Sequence, residues 1–316
     1  MYKIGVDLGG TNIAVGVIDA ENKIIGISKR KTNTPRPAKE IFDDINLCIA
    51  DAIADAGLKV EDIESIGVGT PGSVDRATGV ILYANNLAFN NVPATEYINE
   101  KFPGIKVYIE NDANCAALGE ALAGCGKGKK SFIAVTLGTG VGGGIVLDGE
   151  LLVGCNDAGG EIGHAVIKYD GDECNCGRVG CWERYASATA LVNQTKEAML
   201  NNKDSKMWEL CNGDIENAGG RTAFDGMRLG DECATKVCNT YMEYIAMGTV
   251  NLVNIFQPEL ICFGGGICNE GETLLGPIRE LIKKWRYSKY QDKQTEICRA
   301  TLGNDAGIIG AALVKY

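Results

Sequence analysis

The chain has 316 residues, a formal net charge of −10, and a composition that is 45% hydrophobic and 23% charged. That length supports two domains with a substantial buried core, and the acidic balance argues against a nucleic-acid partner, whose phosphates need a basic face. No run of about 18 apolar residues predicts a membrane span. Met1-Tyr2-Lys3 leads directly into a strand-like segment, so no secretory leader is expected. The thirteen cysteines mostly stand singly in apolar stretches, as at Cys48, Cys115, Cys238 and Cys262, which suits a reducing cytoplasm better than a disulfide framework.

The first segment, "IGVDLGGTNIAVGVID", alternates apolar residues on both sides of a Gly-Gly-Thr break: Ile4, Val6 and Leu8, then Ile13, Val15 and Val17. A period of two around glycines predicts a β-hairpin turning at Gly9, Gly10 and Thr11. A third strand is predicted over 23–29 and a helix over 38–56. After these come a strand in "SIGVGTPG", a long loop, a strand over 106–112 and a helix through Ala123. "IAVTLGTGVGGGIVLDGE", starting at Ile133, then repeats the first hairpin at a shift of 129 positions without a gap. Ile4 falls on Ile133, Val6 on Val135, Leu8 on Leu137, Gly9 on Gly138, Val17 on Val146 and Asp19 on Asp148. Two such hairpins in one register imply two halves of similar topology. Beyond residue 183 the pattern is helical, with a long apolar-periodic stretch over 234–256 stopped by Pro258. "ELICFGGGI" reads as a buried strand ending in glycines, and "DAGIIGAALVKY" as a closing helix. Strands interleaved with helices predict an α/β protein with its ligand between the two halves.

Glycine turns of this kind suit phosphate, because consecutive backbone N–H groups unscreened by side chains can converge on anionic oxygens. "GTGVGG" (138–143) matches the dinucleotide fingerprint in letters only, since a strand rather than a helix follows it. Two facing turns would clamp a polyphosphate, and Asp7, just before the first, is placed to hold magnesium directly or through water. Structural turns without a ligand are the alternative.

The single histidine, His164, stands close in sequence to Cys174, Cys176 and Cys181. One imidazole and three thiolates match a closed, structural zinc site, with Gly177 and Gly180 letting the loop wrap the ion. Such a site leaves no position for a catalytic water; its task would be to fix the loop carrying Glu161 and Glu183. The second ring nitrogen of His164 remains able to donate toward a ligand. With its one histidine so used, the chain has none for a Ser-His-Asp triad. In "ENDAN" (110–114), a strand gives way to a helix; Asn111 or Asp112 can cap that helix, or Asp112 can act as a base toward a substrate hydroxyl that attacks phosphorus.

Together, "DLGGT" (7–11), "GTPG" (69–72), "ANNLAFNNVP" (84–93), "NDAN" (111–114), "LGTGVGGGI" (137–145), "EIGH" (161–164), "CNCGRVGCWE" (174–183) and "GNDAGIIGAA" (303–312) resemble the ROK sugar kinases, nearest the bacterial glucokinases of that family. The resemblance implies the duplicated actin-like, ribonuclease-H-like fold with a central cleft. It divides the chain into a small domain over 1–112, a large domain with the zinc loop over 113–302, and a C-terminal helix over 303–316 that returns to the small domain. It implies ATP-dependent phosphorylation of glucose at its 6-hydroxyl, with Asp112 as general base. Asn86, Asn111, Asp112, Glu161, His164 and Glu183 would bind the sugar. Gly9, Gly10 and Thr11 with Gly138, Thr139 and Gly140 would line the ATP phosphates, and Gly264, Gly265 and Gly266 would sit near the nucleoside. Zinc would take His164, Cys174, Cys176 and Cys181. Trp182 packs under the sugar loop or belongs to the core. A cytoplasmic homodimer is the expected assembly.

Two alternatives accompany this reading. One is a kinase of the same family for N-acetylmannosamine, fructose or allose. The other is a sugar-responsive regulator, disfavoured by the acidic charge and by the absence of a helix-turn-helix before the first strand. Polyphosphate and ADP stand beside ATP as candidate donors.

Overall fold

The computed structural model describes all 316 residues. The chain packs as two units, one formed by Met1–Ala134, Gly144–Gly160 and Ala300–Tyr316, the other by Val135–Gly143 and Glu161–Arg299.

In the first unit, β1 (Tyr2–Leu8), β2 (Asn12–Ile18) and β3 (Ile24–Lys31) form an antiparallel meander. After α1 (Ala38–Asp55), β4 (Ile63–Thr70) pairs parallel with β1. The short strands β5 (Ser73–Asp75), β6 (Val80–Ala84) and β7 (Phe89–Val92) make a separate sheet, and α2 (Ala94–Asn99) leads to β8 (Lys106–Asn111), parallel to β4. The main sheet has the order β3-β2-β1-β4-β8. Its inward residues Ile4, Val6, Leu8, Ile13, Val15, Val17, Ile66 and Val68 are fully buried and pack in one core with Ile41, Phe42, Ile45 and Ile49 of α1. Helix α3 (Asp112–Leu122) starts where β8 stops.

The chain continues through β9 (Ser131–Leu137), β10 (Val141–Leu147) and β11 (Glu150–Leu151), and then a run of helices: α4 (Glu183–Ala186), α5 (Ala188–Asn201), α6 (Met207–Leu210), α7 (Thr222–Arg228) and α8 (Glu232–Phe256). Strand β12 (Leu260–Gly264), helix α9 (Glu272–Trp285), strand β13 (Glu296–Arg299) and helix α10 (Ala306–Leu313) complete it. The second five-stranded sheet has the order β11-β10-β9-β12-β13. Both sheets thus place the hairpin's first strand in the middle, its second strand on one side and a later strand on the other. β9 and β10 begin and end 129 positions after β1 and β2, which is the shift read from the sequence.

The division differs from the one expected at residue 112, because α3 is welded to α10 by glycines. A Cβ on Gly119 would strike the Ala306 carbonyl, and one on Gly310 the Cys115 carbonyl. Similarly, Gly5 of β1 and Gly67 of β4 admit the backbone of α10 at Ile308 and Ala311. Close approach of this kind needs a missing side chain on one partner. Residues 113–134 and 144–160 therefore stay with the first unit, and α10 lies on its sheet.

Candidate active site

Parallel pairing of β1, β4 and β8 fixes one group of side chains. Asp7 is in register with Gly69, and Gly69 with Glu110, so the carboxyl ends of these strands carry Asp7, Thr70, Asn111 and then Asp112. In open α/β sheets that end is where ligands bind. The Asp7 carboxyl has room because Gly307 lacks a side chain; a Cβ there would lie 3.1 Å from it. Burial, reinforced by the like charge of Asp112, pushes Asp7 up to about 6. Burial also raises Asp112, against the opposing pull of the Ala113 N–H, which donates to its carboxylate at 2.8 Å. Desolvation disfavours the charge on both carboxylates, and Asp112 adds to it at Asp7, which suits the pair to accept a proton or a cation.

The Asn111 side-chain oxygen caps α3, accepting from the N–H groups of Ala113 at 2.9 Å and Asn114 at 3.2 Å, while its amide donates to the Gly72 carbonyl at 3.1 Å. Capping is thus performed by Asn111, which frees Asp112 from that task. The first glycine turn is tied by its carbonyls: Thr32 Oγ1 donates to that of Gly9 at 2.6 Å, and Thr34 Oγ1 to that of Gly10 at 3.1 Å. Gly10 packs against Asn86, whose carbonyl oxygen would lie 3.4 Å from a Cβ at position 10. Asn86 itself is exposed, in a single helical turn over Asn85–Leu87 between β6 and β7.

A second group forms within the other unit. The turn Gly138, Thr139 and Gly140 closes through a Gly138 N–H donating to the Gly140 carbonyl at 3.0 Å. It is fastened to the start of α5, where the Ala188 N–H and the Thr189 hydroxyl each donate at 2.8 Å, to the Gly138 and Thr139 carbonyls. Glu183, the first residue of α4, lies directly over Gly140 and accepts the Val141 N–H at 3.1 Å. Gly265, with φ of 97°, lies against the Leu137 carbonyl in a space no side chain could enter, and Gly266 faces open space. Glu161 is exposed at the start of the turn Ile162–His164, its carbonyl accepting the His164 N–H at 3.1 Å.

His164, Cys174, Cys176 and Cys181 converge, their ligand atoms all lying within 4.8 Å of one another. His164 Nδ1 is 3.6 Å from Cys174 Sγ, and Cys176 Sγ is 3.6 Å from Cys181 Sγ. A tetrahedral zinc with Zn–S near 2.3 Å requires sulfur–sulfur edges of about 3.8 Å, so the donor set fits a closed site. The ring presents Nδ1 to the sulfurs, leaving Nε2 for another partner. Gly180, with φ of 74°, packs on the Lys168 carbonyl and turns the loop between Cys176 and Cys181. Burial pushes the Cys181 thiol up to about 12, whereas the Arg178 backbone N–H draws exposed Cys176 down. A bound dication would favour both thiolates. Trp182 is a core residue: its indole packs on Gly248 of α8, and its N–H donates to the Tyr244 carbonyl at 2.8 Å.

Sequence reasoning missed the layer behind Asp112. Glu110 is fully buried and paired with Arg76, whose guanidinium lies 4.9 Å over the Tyr316 ring. The signal for Glu110 was a carboxylate in the interior of an apolar strand, which demands a partner. Nothing local identified Arg76, because its partner is 34 positions away.

Comparison with known proteins places the chain in a family. The ROK family model matches residues 3–315. The glucokinase of Thermotoga maritima is 37% identical over 315 residues, spanning 98% of this chain and 96% of that protein. Among solved structures, a ROK family glucokinase from Streptomyces griseus in complex with glucose and AMPPNP superposes with a TM-score of 0.80 at 35% identity, covering 99% of this chain and 98% of that one. The ROK hexokinase of Thermus thermophilus gives 0.83 at 31% identity, covering 99% and 97%. The chain is a sugar-kinase-like α/β protein with a duplicated actin-like fold. It belongs to the ROK family.

Proposed function

We propose that this protein is an ATP-dependent glucokinase that transfers the terminal phosphoryl group of ATP to the 6-hydroxyl of glucose. The observation that carries the reading is Asp112: a half-buried carboxylate whose pKa desolvation raises, at the start of a helix that Asn111 already caps, in a chain similar along its length to glucokinases. A carboxylate held this way can take the hydroxyl proton as the oxygen attacks phosphorus.

Phosphoryl transfer depends mainly on positioning and on neutralising charge. Gly9, Gly10 and Thr11 with Gly138, Thr139 and Gly140 would line the phosphates. The Gly9 and Gly138 N–H groups close their own turns on the Asn12 and Gly140 carbonyls, so the donors to phosphate would come from the other turn residues. Gly264, Gly265 and Gly266 would leave space for the nucleoside. Magnesium on the nucleotide supplies charge neutralisation at the transferring group, and Asp7 is the carboxylate that would hold it, directly or through water. Asn86, Asn111, Asp112, Glu161, His164 and Glu183 are the hydrogen-bonding partners of the sugar, carboxylates being strong acceptors for hydroxyls. Zinc on His164, Cys174, Cys176 and Cys181 would supply a cross-link rather than chemistry. It would hold the His164 ring with Nε2 turned to the sugar and brace the chain from Glu161 to Glu183.

No helix is long and apolar enough to cross a membrane, and a cytoplasmic setting suits thirteen free cysteines. The family resemblance implies a homodimer, which sedimentation tests. A coupled assay over glucose, N-acetylmannosamine, fructose and allose, with ATP, ADP or polyphosphate and magnesium, tests the reaction. Glucose with ATP is expected to give the highest kcat/KM; preference for another sugar or donor contradicts that assignment.

A further inference from the structure

We infer that Arg76 is a positioning residue for phosphoryl transfer: through Glu110 it sets the backbone from which Asp112 presents its carboxylate. This rests on the reading of Asp112 as the base.

Both oxygens of Glu110 are in use. One accepts from the Arg76 guanidinium, with Nε at 2.8 Å and Nη2 alongside it as a fork. The other accepts the Asn111 backbone N–H at 2.9 Å and the Asn114 side-chain amide at 2.9 Å. Those two donors bracket Asp112, one immediately before it and one two residues after. The carboxylate therefore grips the strand-to-helix junction on either side of the proposed base.

Arg76 is fixed in turn from three directions. Its guanidinium packs on the Tyr316 ring, and Tyr316 Oη accepts the Ile109 N–H at 3.2 Å. Its own backbone N–H donates to Asp157 at 3.1 Å. The Asp75 carboxylate accepts from Ala77 and Thr78 at 2.9 and 3.1 Å, holding the turn in which Arg76 stands. Both guanidinium donors meet the same carboxylate oxygen, with Nε and Nη2 held in one plane, where a lysine would bring a single nitrogen on a flexible stem. A buried ion pair contributes little net stability over an apolar pair of similar volume, so its contribution here lies in the geometry it imposes. Loss of the fork would let Glu110 relax toward solvent and release Asn111 and Asn114, and displacement of a reacting group by about 1 Å can cost about 100-fold in rate.

The test compares wild type with Arg76→Lys and with the double variant Arg76→Met/Glu110→Gln, which leaves no lone buried charge. Steady-state kcat and KM, glucose dissociation constants from intrinsic tryptophan fluorescence, and thermal midpoints are measured. In the double variant, kcat is expected to fall about 100-fold while glucose affinity changes less than about threefold and the protein stays folded. A folded double variant with kcat within about threefold of wild type, or with its whole loss in KM, overturns the inference. If the double variant does not fold, Arg76→Lys decides: a roughly tenfold lower kcat at an unchanged midpoint supports positioning, and a wild-type kcat overturns it. Failure of both variants to fold assigns the pair to the fold alone and overturns it as well. Wild-type protein that does not phosphorylate glucose defeats the functional reading and this inference with it, whereas active wild type with fully active variants defeats the inference alone.

Discussion

Glu183 Oε2 accepts the Val141 N–H at 3.1 Å and stands directly over Gly140. The carboxylate assigned to the sugar is thereby tied to the turn assigned to phosphate. An alanine at Gly140 would meet the far end of the Glu183 side chain, which can swing away, so the fold survives and the carboxylate moves. Gly140→Ala is expected to raise the glucose KM about tenfold, the equivalent of one lost hydrogen bond to a charged group, with little change in thermal midpoint. Kinetics beside a melting curve check this; an unchanged KM contradicts it.

Asp7 carries a pH-dependent cost. Its folded pKa of about 6 exceeds its ordinary value of 3.8, so between those values the native state binds more protons than the unfolded state. Stability from this group accordingly falls as pH rises through that window and stays low above it. Asp7→Asn is expected to stabilise the protein at pH 8 by up to about 3 kcal/mol, since each pKa unit corresponds to about 1.4 kcal/mol. The gain should disappear near pH 4. The same variant should weaken magnesium–nucleotide binding. Urea melts at several pH values read the first effect; a gain that grows as pH falls contradicts the account.

Zinc should be present at about one ion per chain in protein as purified. Its removal by a chelator is expected to raise the glucose KM well before it affects overall helix content, because the four donors tie the segment from His164 to Cys181. Elemental analysis with kinetics on metal-free and reconstituted protein checks this, and an unchanged KM without zinc contradicts it.

Gly310 lets α10 touch α3 at the Cys115 carbonyl. Gly310→Ala should cost about 1–3 kcal/mol, the usual penalty for overpacking, despite the better helix propensity of alanine. A chemical denaturation midpoint at or above wild type contradicts this packing.

These four sites show where sequence reasoning succeeds and where it stops. The hairpin turns were legible because period-two apolar residues and glycines are local, and the same pattern recurs 129 positions later. The convergence of His164, Cys174, Cys176 and Cys181 was legible because the one histidine and three cysteines gather within one short segment. Gly310 and Arg76 were not, since each acts on a residue remote along the chain: Cys115 for the one, Glu110 for the other. Glu120 is similar; its buried carboxylate accepts the Thr301 and Leu302 N–H groups at 2.7 and 2.6 Å. Such anchors join α3 to the segment before α10 and explain why the first unit runs past residue 112.

Removing only the proton acceptor tests the central claim most directly. In Asp112→Asn, the side chain keeps its shape and its contact with the Ala113 N–H but loses basicity. kcat for glucose phosphorylation should fall between about 100-fold and 10,000-fold, while the glucose dissociation constant stays within a few-fold of wild type. A variant that keeps more than about a tenth of wild-type kcat would contradict the assignment of Asp112 as the base.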